Sequence, residues 1–228
     1  MFLPYDTTIL ILIPTIIFTM YAQNKVQTTF NRYLRVPTRK GYTGYDVARF
    51  ILDQNGLRDV PIEMSPGRLS DHYNPSRRIL RLSRDVYNGT SIASVSVAAH
   101  EVGHAIQHAR GYIPLTFRNT IFPIAKFGSS AAWFFIMAGL LFSSTNFLLD
   151  IGIILYFTAV LFQIITLPVE FNASNRALEL LDSNGFIDRD EYRGSKKVLN
   201  AAALTYVAAM AAAVSQLIRL LVIRNRRE

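Results

Sequence analysis

"AAHEVGHAIQHARG", residues 98–111, carries two histidines four positions apart, with a glutamate directly after the first. On a helix, residues i and i+4 sit one turn apart on one face. His100 and His104 can therefore both reach a single ion at about 2.0–2.1 Å. Glu101 is rotated off that line, where it can hold a water rather than the metal. Residues 91–109 read as one helix stopped near Gly111. A catalytic zinc keeps three protein ligands and one open position, so the rest of the chain must provide a third.

Composition limits the choice. The 228 residues include no cysteine, which removes disulfides, thiolate ligands and a thiol nucleophile. The histidines are His72, His100, His104 and His108. Charged residues make up 18% of the chain, below the roughly 25% of an average soluble domain, and mean hydropathy is +0.22. That balance points to a membrane protein. The net charge of +8 comes with no nucleic-acid motif, so no nucleic-acid partner is expected. Part of it reads instead as an orientation signal and an attraction to anionic lipid.

Four apolar stretches carry the membrane reading: residues 2–22, 121–142, 147–169 and 198–223. The first lacks the basic start of a cleaved signal and reads as a retained span, kinked at Pro14. The second and third, joined by "SSTN", form a helical hairpin of spanning length. The fourth is Ala-rich and broken by Asn200, Gln216 and Arg219. A span there would put the basic "RNRRE" tail outside, so it is expected to stop short of a full crossing. Lys25, Arg32, Arg35, Arg39 and Lys40 follow the first stretch, which places residues 23–120 in the cytoplasm, and the chain returns there near Glu170. The domain plan is then a span at 2–22, a cytoplasmic catalytic part at 23–120, a hairpin at 121–169, a cytoplasmic helix at 170–197 and an apolar helix at 198–223.

Within the cytoplasmic part, residues 41–57 have helical spacing, with Val47, Phe50, Ile51 and Leu57 on one face, Thr43 as N-cap and Gly56 as stop. The following "VPIEMSPGRLSDHYNPSRRILRLS" reads as two or three short strands in a meander. The fold class is mainly α with this small β-meander: three to four transmembrane helices plus a zincin-like catalytic domain.

The third ligand follows from where the acids are. Gln107 and Arg110 occupy the places where a metzincin has Gly and His. No Asp or Glu occurs between Ala105 and Leu149, and Asp150 falls by the hairpin turn on the far side. Glu170, directly after Pro168 ends the third span, is the first acid back on the motif's side; Asp182 is the runner-up. An intramembrane site of the site-2 type is disfavoured, because residues 91–109 are too short and polar for a span.

"AAHEVGHAIQ", a hydrophobic hairpin, then "LPVEFNASNRA" resembles the bacterial membrane-bound neutral zinc metallopeptidases of the YugP type. It is more distantly similar to the heat-shock membrane proteases and CAAX prenyl proteases. "SDHYNPSRRILRLS" looks like that family's strand region, and the resemblance covers residues 25–223. It implies a gluzincin-like zinc metallopeptidase with one Zn2+ held by His100, His104 and Glu170, and Glu101 as catalytic base. In the more distant relatives an Asp four residues beyond the ligand Glu buttresses a zinc-binding His; here that place holds Ser174.

The expected reaction is peptide-bond hydrolysis near the cytoplasmic face of the bacterial cell membrane by a multi-pass protein. Glu101 takes the proton of an activated water and passes it to the leaving amine. A protein or peptide substrate is expected to add a strand along residues 78–82. His72, Tyr73 and Arg176 are candidates for oxyanion or substrate contacts, and His108 and Ser174 for support of the ligands. The rival reading is a non-catalytic membrane scaffold with a zinc-stabilised fold. A homo-oligomer or a membrane partner protein is left open.

Overall fold

The computed structural model describes residues 7–142 and 146–227. Its elements are a 3-10 turn Thr7–Ile11, then α1 (Ile13–Leu34), α2 (Gly44–Gln54), β1 (Ile62–Ser65), β2 (His72–Asn74), β3 (Ile79–Ser83), α3 (Arg84–Tyr87), α4 (Ile92–Ala109), α5 (Ile113–Leu141), α6 (Asn146–Ser183) and α7 (Arg189–Asn225). The chain divides into two compact units. One draws on Met1–Gln23, Thr116–Pro168 and Thr205–Glu228, the other on Asn24–Leu115 and Val169–Leu204.

The second unit holds the main apolar core. Val47, Ile51 and Leu52 of α2, Leu80 and Leu82 of β3, and Val95, Ala99 and Val102 of α4 are buried together with Leu181 of α6 and Leu199 of α7. Local chemistry sets the helix ends. Thr43 and Asp46 form a reciprocal capping box at the start of α2. Ser91 caps α4 by accepting from the Ser94 N–H, and Gly111, at φ +60, takes the left-handed turn that ends it. At the start of α7 the buried Glu191 accepts from the backbone N–H groups of Asp188 and Arg39 at 2.8 Å each. Phe50, expected on the buried face of α2, is 48% exposed but sets its ring edge-on to Phe186 at 5.2 Å.

The sheet is not the meander read from the strand pattern. Its order is β1-β3-β2, with β1 parallel to β3 and β2 antiparallel to it. β3 takes the centre because it is the most apolar strand, with Leu80 and Leu82 fully buried, whereas β1 and β2 are half exposed. Asp71 ties the start of β2 to the end of β3, accepting from the Ser83 N–H at 2.7 Å and its hydroxyl at 3.1 Å.

In the other unit, α5 and α6 pack through small residues. A methyl at Gly139 would fall 2.6 Å from the Leu149 backbone nitrogen, and one at Gly152 2.9 Å from that of Ile136; close backbone approach of this kind is how apolar helices associate. Asp150 pairs with Arg224 at 3.0 Å. Arg227 donates to the carbonyls of Gly139 and Leu140 at 2.6 and 2.9 Å, which places a cation of the basic tail at the C-terminal end of α5.

Among the described residues, three helices are long and apolar enough to cross a membrane: α5, α6 and α7. The stretch 198–223, expected to stop short of crossing, lies inside α7 and meets the length and hydropathy requirement. Pro168, read as the end of the third span, lies inside α6, which runs unbroken through it to Ser183. One lost backbone bond is tolerated in a long apolar helix whose other contacts hold it. Residues 2–6 of the first expected span and 143–145 of the hairpin turn lie outside the described residues. The described remainder of that first span forms the 3-10 turn and the opening of α1. Pro14 there sits in the first helical turn, where its missing N–H has no intrahelical partner to lose. α1 is not among the three candidate spans.

Candidate metal centre

His100 and His104 project from one face of α4, with ring centroids 4.7 Å apart. Glu170, on α6, brings its Oε2 to 3.3 Å from His100 Nε2 and 3.5 Å from His104 Nε2. The three side chains are nearly buried, at 12%, 11% and 3% exposure, so the contact is not a loose surface ion pair. Donor atoms about 2.05 Å from a tetrahedral ion lie about 3.3 Å apart. The observed spacing matches that, and two imidazoles with one carboxylate form a donor set suited to zinc.

The far sides of both rings are fixed. His104 Nδ1 lies 3.0 Å from Gln107 Oε1, a carbonyl oxygen that only accepts, so Nδ1 carries the proton. The orientation of that amide is set in turn, because Gln107 Nε2 donates to the Val169 carbonyl at 2.8 Å and to Asn172 Oδ1 at 3.0 Å. In the neutral ring the Nε2 lone pair therefore faces the Glu170 carboxylate, and a proton or a cation must lie between them. His100 Nδ1 lies 3.2 Å from Ser174 Oγ. A hydroxyl stands where the distant relatives carry a carboxylate, and it holds the ring without adding charge.

Glycine makes the helices meet. A methyl at Gly103, between the two histidines, would fall 2.9 Å from the Ala173 carbonyl oxygen and 3.3 Å from its Cα. Only a residue without Cβ lets α4 come this close to α6 three residues beyond Glu170.

Glu101 is buried to 9% exposure, and its Oε2 accepts from the Tyr73 backbone N–H of β2 at 3.0 Å. Burial raises its pKa to about 7. The nearby Glu170 and Asp71 carboxylates push the same way, while His100 and the Tyr73 N–H push down. Three acids around one buried point favour a cation there.

Tyr73 gives its backbone to Glu101, and its hydroxyl lies 2.9 Å from His108 Nδ1. His72 is exposed, with Nδ1 2.8 Å from the Ser70 carbonyl of its own turn, and is not brought to the cluster. Arg176 donates to Asn172 Oδ1 at 2.7 Å, so it touches the network behind His104 rather than the open side of the site. Asp182 is exposed three turns beyond Glu170 on α6 and is not in the ligand group. Gln107 and Asn172 were missed; the signal available was a polar residue three positions after His104, on a helix otherwise buried.

The family described as "Putative neutral zinc metallopeptidase" matches residues 8–225 of the chain. The chain is also 51% identical over 203 residues to the "Putative membrane protease YugP" of Bacillus subtilis (strain 168), covering 89% of this chain and 90% of that one. No solved structure matches it. With a match over nearly its whole length and the histidine pair facing a distant glutamate, this chain belongs to the neutral zinc metallopeptidase family.

Proposed function

We propose that the protein is a membrane-bound, zinc-dependent endopeptidase that cuts peptide bonds of protein substrates close to the cytoplasmic membrane face. The observation that carries this reading is the convergence of His100, His104 and Glu170, with Glu101 beside them but outside the ligand set. A purely structural zinc would be closed by four protein ligands and would have no use for Glu101.

His100, His104 and Glu170 would hold one zinc ion, which when bound makes water more acidic and polarises a carbonyl. Glu101 accepts the proton of the attacking water as its oxygen bonds to the peptide carbon. The C–N bond then breaks, and Glu101 returns the proton to the departing amine. The Tyr73 N–H fixes the Glu101 carboxylate during both transfers. Gln107 and Ser174 keep the two imidazoles aimed.

The strand first expected to take the substrate, residues 78–82, is the central one, already paired on both sides, and has no edge to offer. The outer edge of β2 runs past Glu101 and is the edge an extended substrate would join. The cytoplasmic placement rests on the basic residues that follow the first apolar stretch, and the membrane setting on the three apolar helices and the name of the Bacillus subtilis relative.

The test compares wild type with Glu101→Gln, both purified in detergent, for zinc content and for cleavage of an unfolded protein. The reading expects zinc retained and cleavage lost in the variant. Wild type that binds zinc but cuts no better than Glu101→Gln would favour the scaffold.

A further inference from the structure

A cavity of about 340 Å³ lies in the second unit, lined by Leu57, Tyr73, Arg78, Ala105, His108 and Ala109. Two connections tie it to the proposed catalytic base. Glu101, Ala105, His108 and Ala109 follow one another at helical spacing along one face of α4. Tyr73 serves both places, with its backbone N–H on Glu101 and its hydroxyl on His108. From Glu101 to His108 the helix rises about 10 Å, the reach of about three residues of extended peptide.

The polar groups in this cavity are donors. In the Tyr73–His108 pair one proton is shared, which leaves either the hydroxyl or the His108 Nε2–H to donate outward. The Arg78 guanidinium lies beside the same hydroxyl. Arg78 also holds a left-handed backbone, φ +54, in the turn between β2 and β3. That conformation is uncommon for a side chain of this size and is retained here where it brings a cation to the cavity. Asp59 faces Arg78 at 3.0 Å, but both side chains are more than half exposed, so the pair is weak and open to a competing anion. The walls from Leu57, Ala105 and Ala109 are apolar and strengthen any ion pair formed inside. Arg49 fixes the outer wall by donating to the carbonyls of Leu57 and Val60 at 2.9 and 2.8 Å.

We propose that this cavity is a substrate subsite for a carboxylate, held by Arg78 and by whichever of the Tyr73 hydroxyl and His108 Nε2–H donates outward, within three residues of the bond that is cut. The carboxylate is either an Asp or Glu side chain or the C-terminus of the substrate. The inference rests on the peptidase reading and names the substrate feature that the site selects.

The test uses quenched fluorogenic peptides built on one neutral sequence. One set carries a Glu at each position within three residues of the cut and an amidated C-terminus. A second has Gln in those places with the same amide, and a third has Gln with a free C-terminal carboxylate. Wild type should prefer one carboxylate set over the neutral one by about tenfold or more in kcat/KM, the scale of a charge-assisted hydrogen bond. Which set is preferred decides the source. In Arg78→Gln the ratio should fall to about one while zinc content, which does not depend on Arg78, stays at the wild-type level. No preference in wild type, or a preference that survives in zinc-loaded Arg78→Gln, overturns the subsite. If wild type cuts none of the peptides, the peptidase reading fails separately. Fluorescence anisotropy of the same peptides on zinc-loaded Glu101→Gln, with and without Arg78→Gln, then decides the subsite by binding alone.

Discussion

Gly103 faces Ala173 so closely that a Cβ on the first would meet the carbonyl oxygen of the second at 2.9 Å. The neighbour is backbone and cannot swing aside as a side chain could. Gly103→Ala should therefore push α6 away from α4 and widen the gap between Glu170 and the histidine pair. Overpacking of this kind costs about 1–3 kcal/mol. Zinc affinity should fall by about tenfold or more, measured by competition with a chelating dye. Unchanged affinity would mean that the two helices can separate without moving the ligands.

Gln107 predicts a second effect. It holds the His104 tautomer through one contact and is itself held by Val169 and Asn172. Loss of such a supporting group costs about 10–100-fold in metal affinity, so Gln107→Ala should bind zinc that much more weakly. Ser174→Asp should act in the opposite direction, because a carboxylate at His100 Nδ1 makes the ring a stronger donor. Equilibrium zinc titrations of the two variants against wild type check both.

The environment of Glu101 gives a pH prediction for the zinc-free protein. Its folded-state pKa, raised by burial to about 7, lies above the ordinary 4.5. Its contribution to stability is fully present below pH 4.5 and is lost as pH rises through about 7, because the folded state must then bury a carboxylate. Glu101→Gln removes the charge. The chelator-treated variant should match wild type at pH 4.5 and exceed it by about 3 kcal/mol at pH 8. Zinc should narrow the gap at pH 8, since a nearby cation favours the ionised form. Thermal unfolding in detergent at the two pH values reads the difference. Parallel behaviour of the two proteins would contradict the buried, cation-dependent carboxylate.

Some of this was legible in the residues. The histidine pair, the Thr43 cap of α2 and the glycine stop of α4 depend on spacing along a single helix, which the sequence states directly. Glu170 stood out because no acid occurs between Ala105 and Leu149, so few candidates remained. The sheet order was not legible, since the parallel β1–β3 pairing joins strands separated by β2 and is decided by which strand must be buried. The continuity of α6 through Pro168 was not legible either, since local propensity disfavours proline inside a helix, yet one helix runs from Asn146 to Ser183. Gln107 looked like a broken metzincin motif because its partners, Val169 and Asn172, lie more than sixty positions away.

The predicted zinc effects all depend on joint binding of one zinc ion by His100, His104 and Glu170. Metal analysis of Glu170→Ala beside wild type, after purification in the same detergent and equal exposure to zinc, tests it most directly. Wild type should carry about one zinc per chain and the variant far less. Full zinc retention in Glu170→Ala would remove this carboxylate from the site, and the assignment of the site with it.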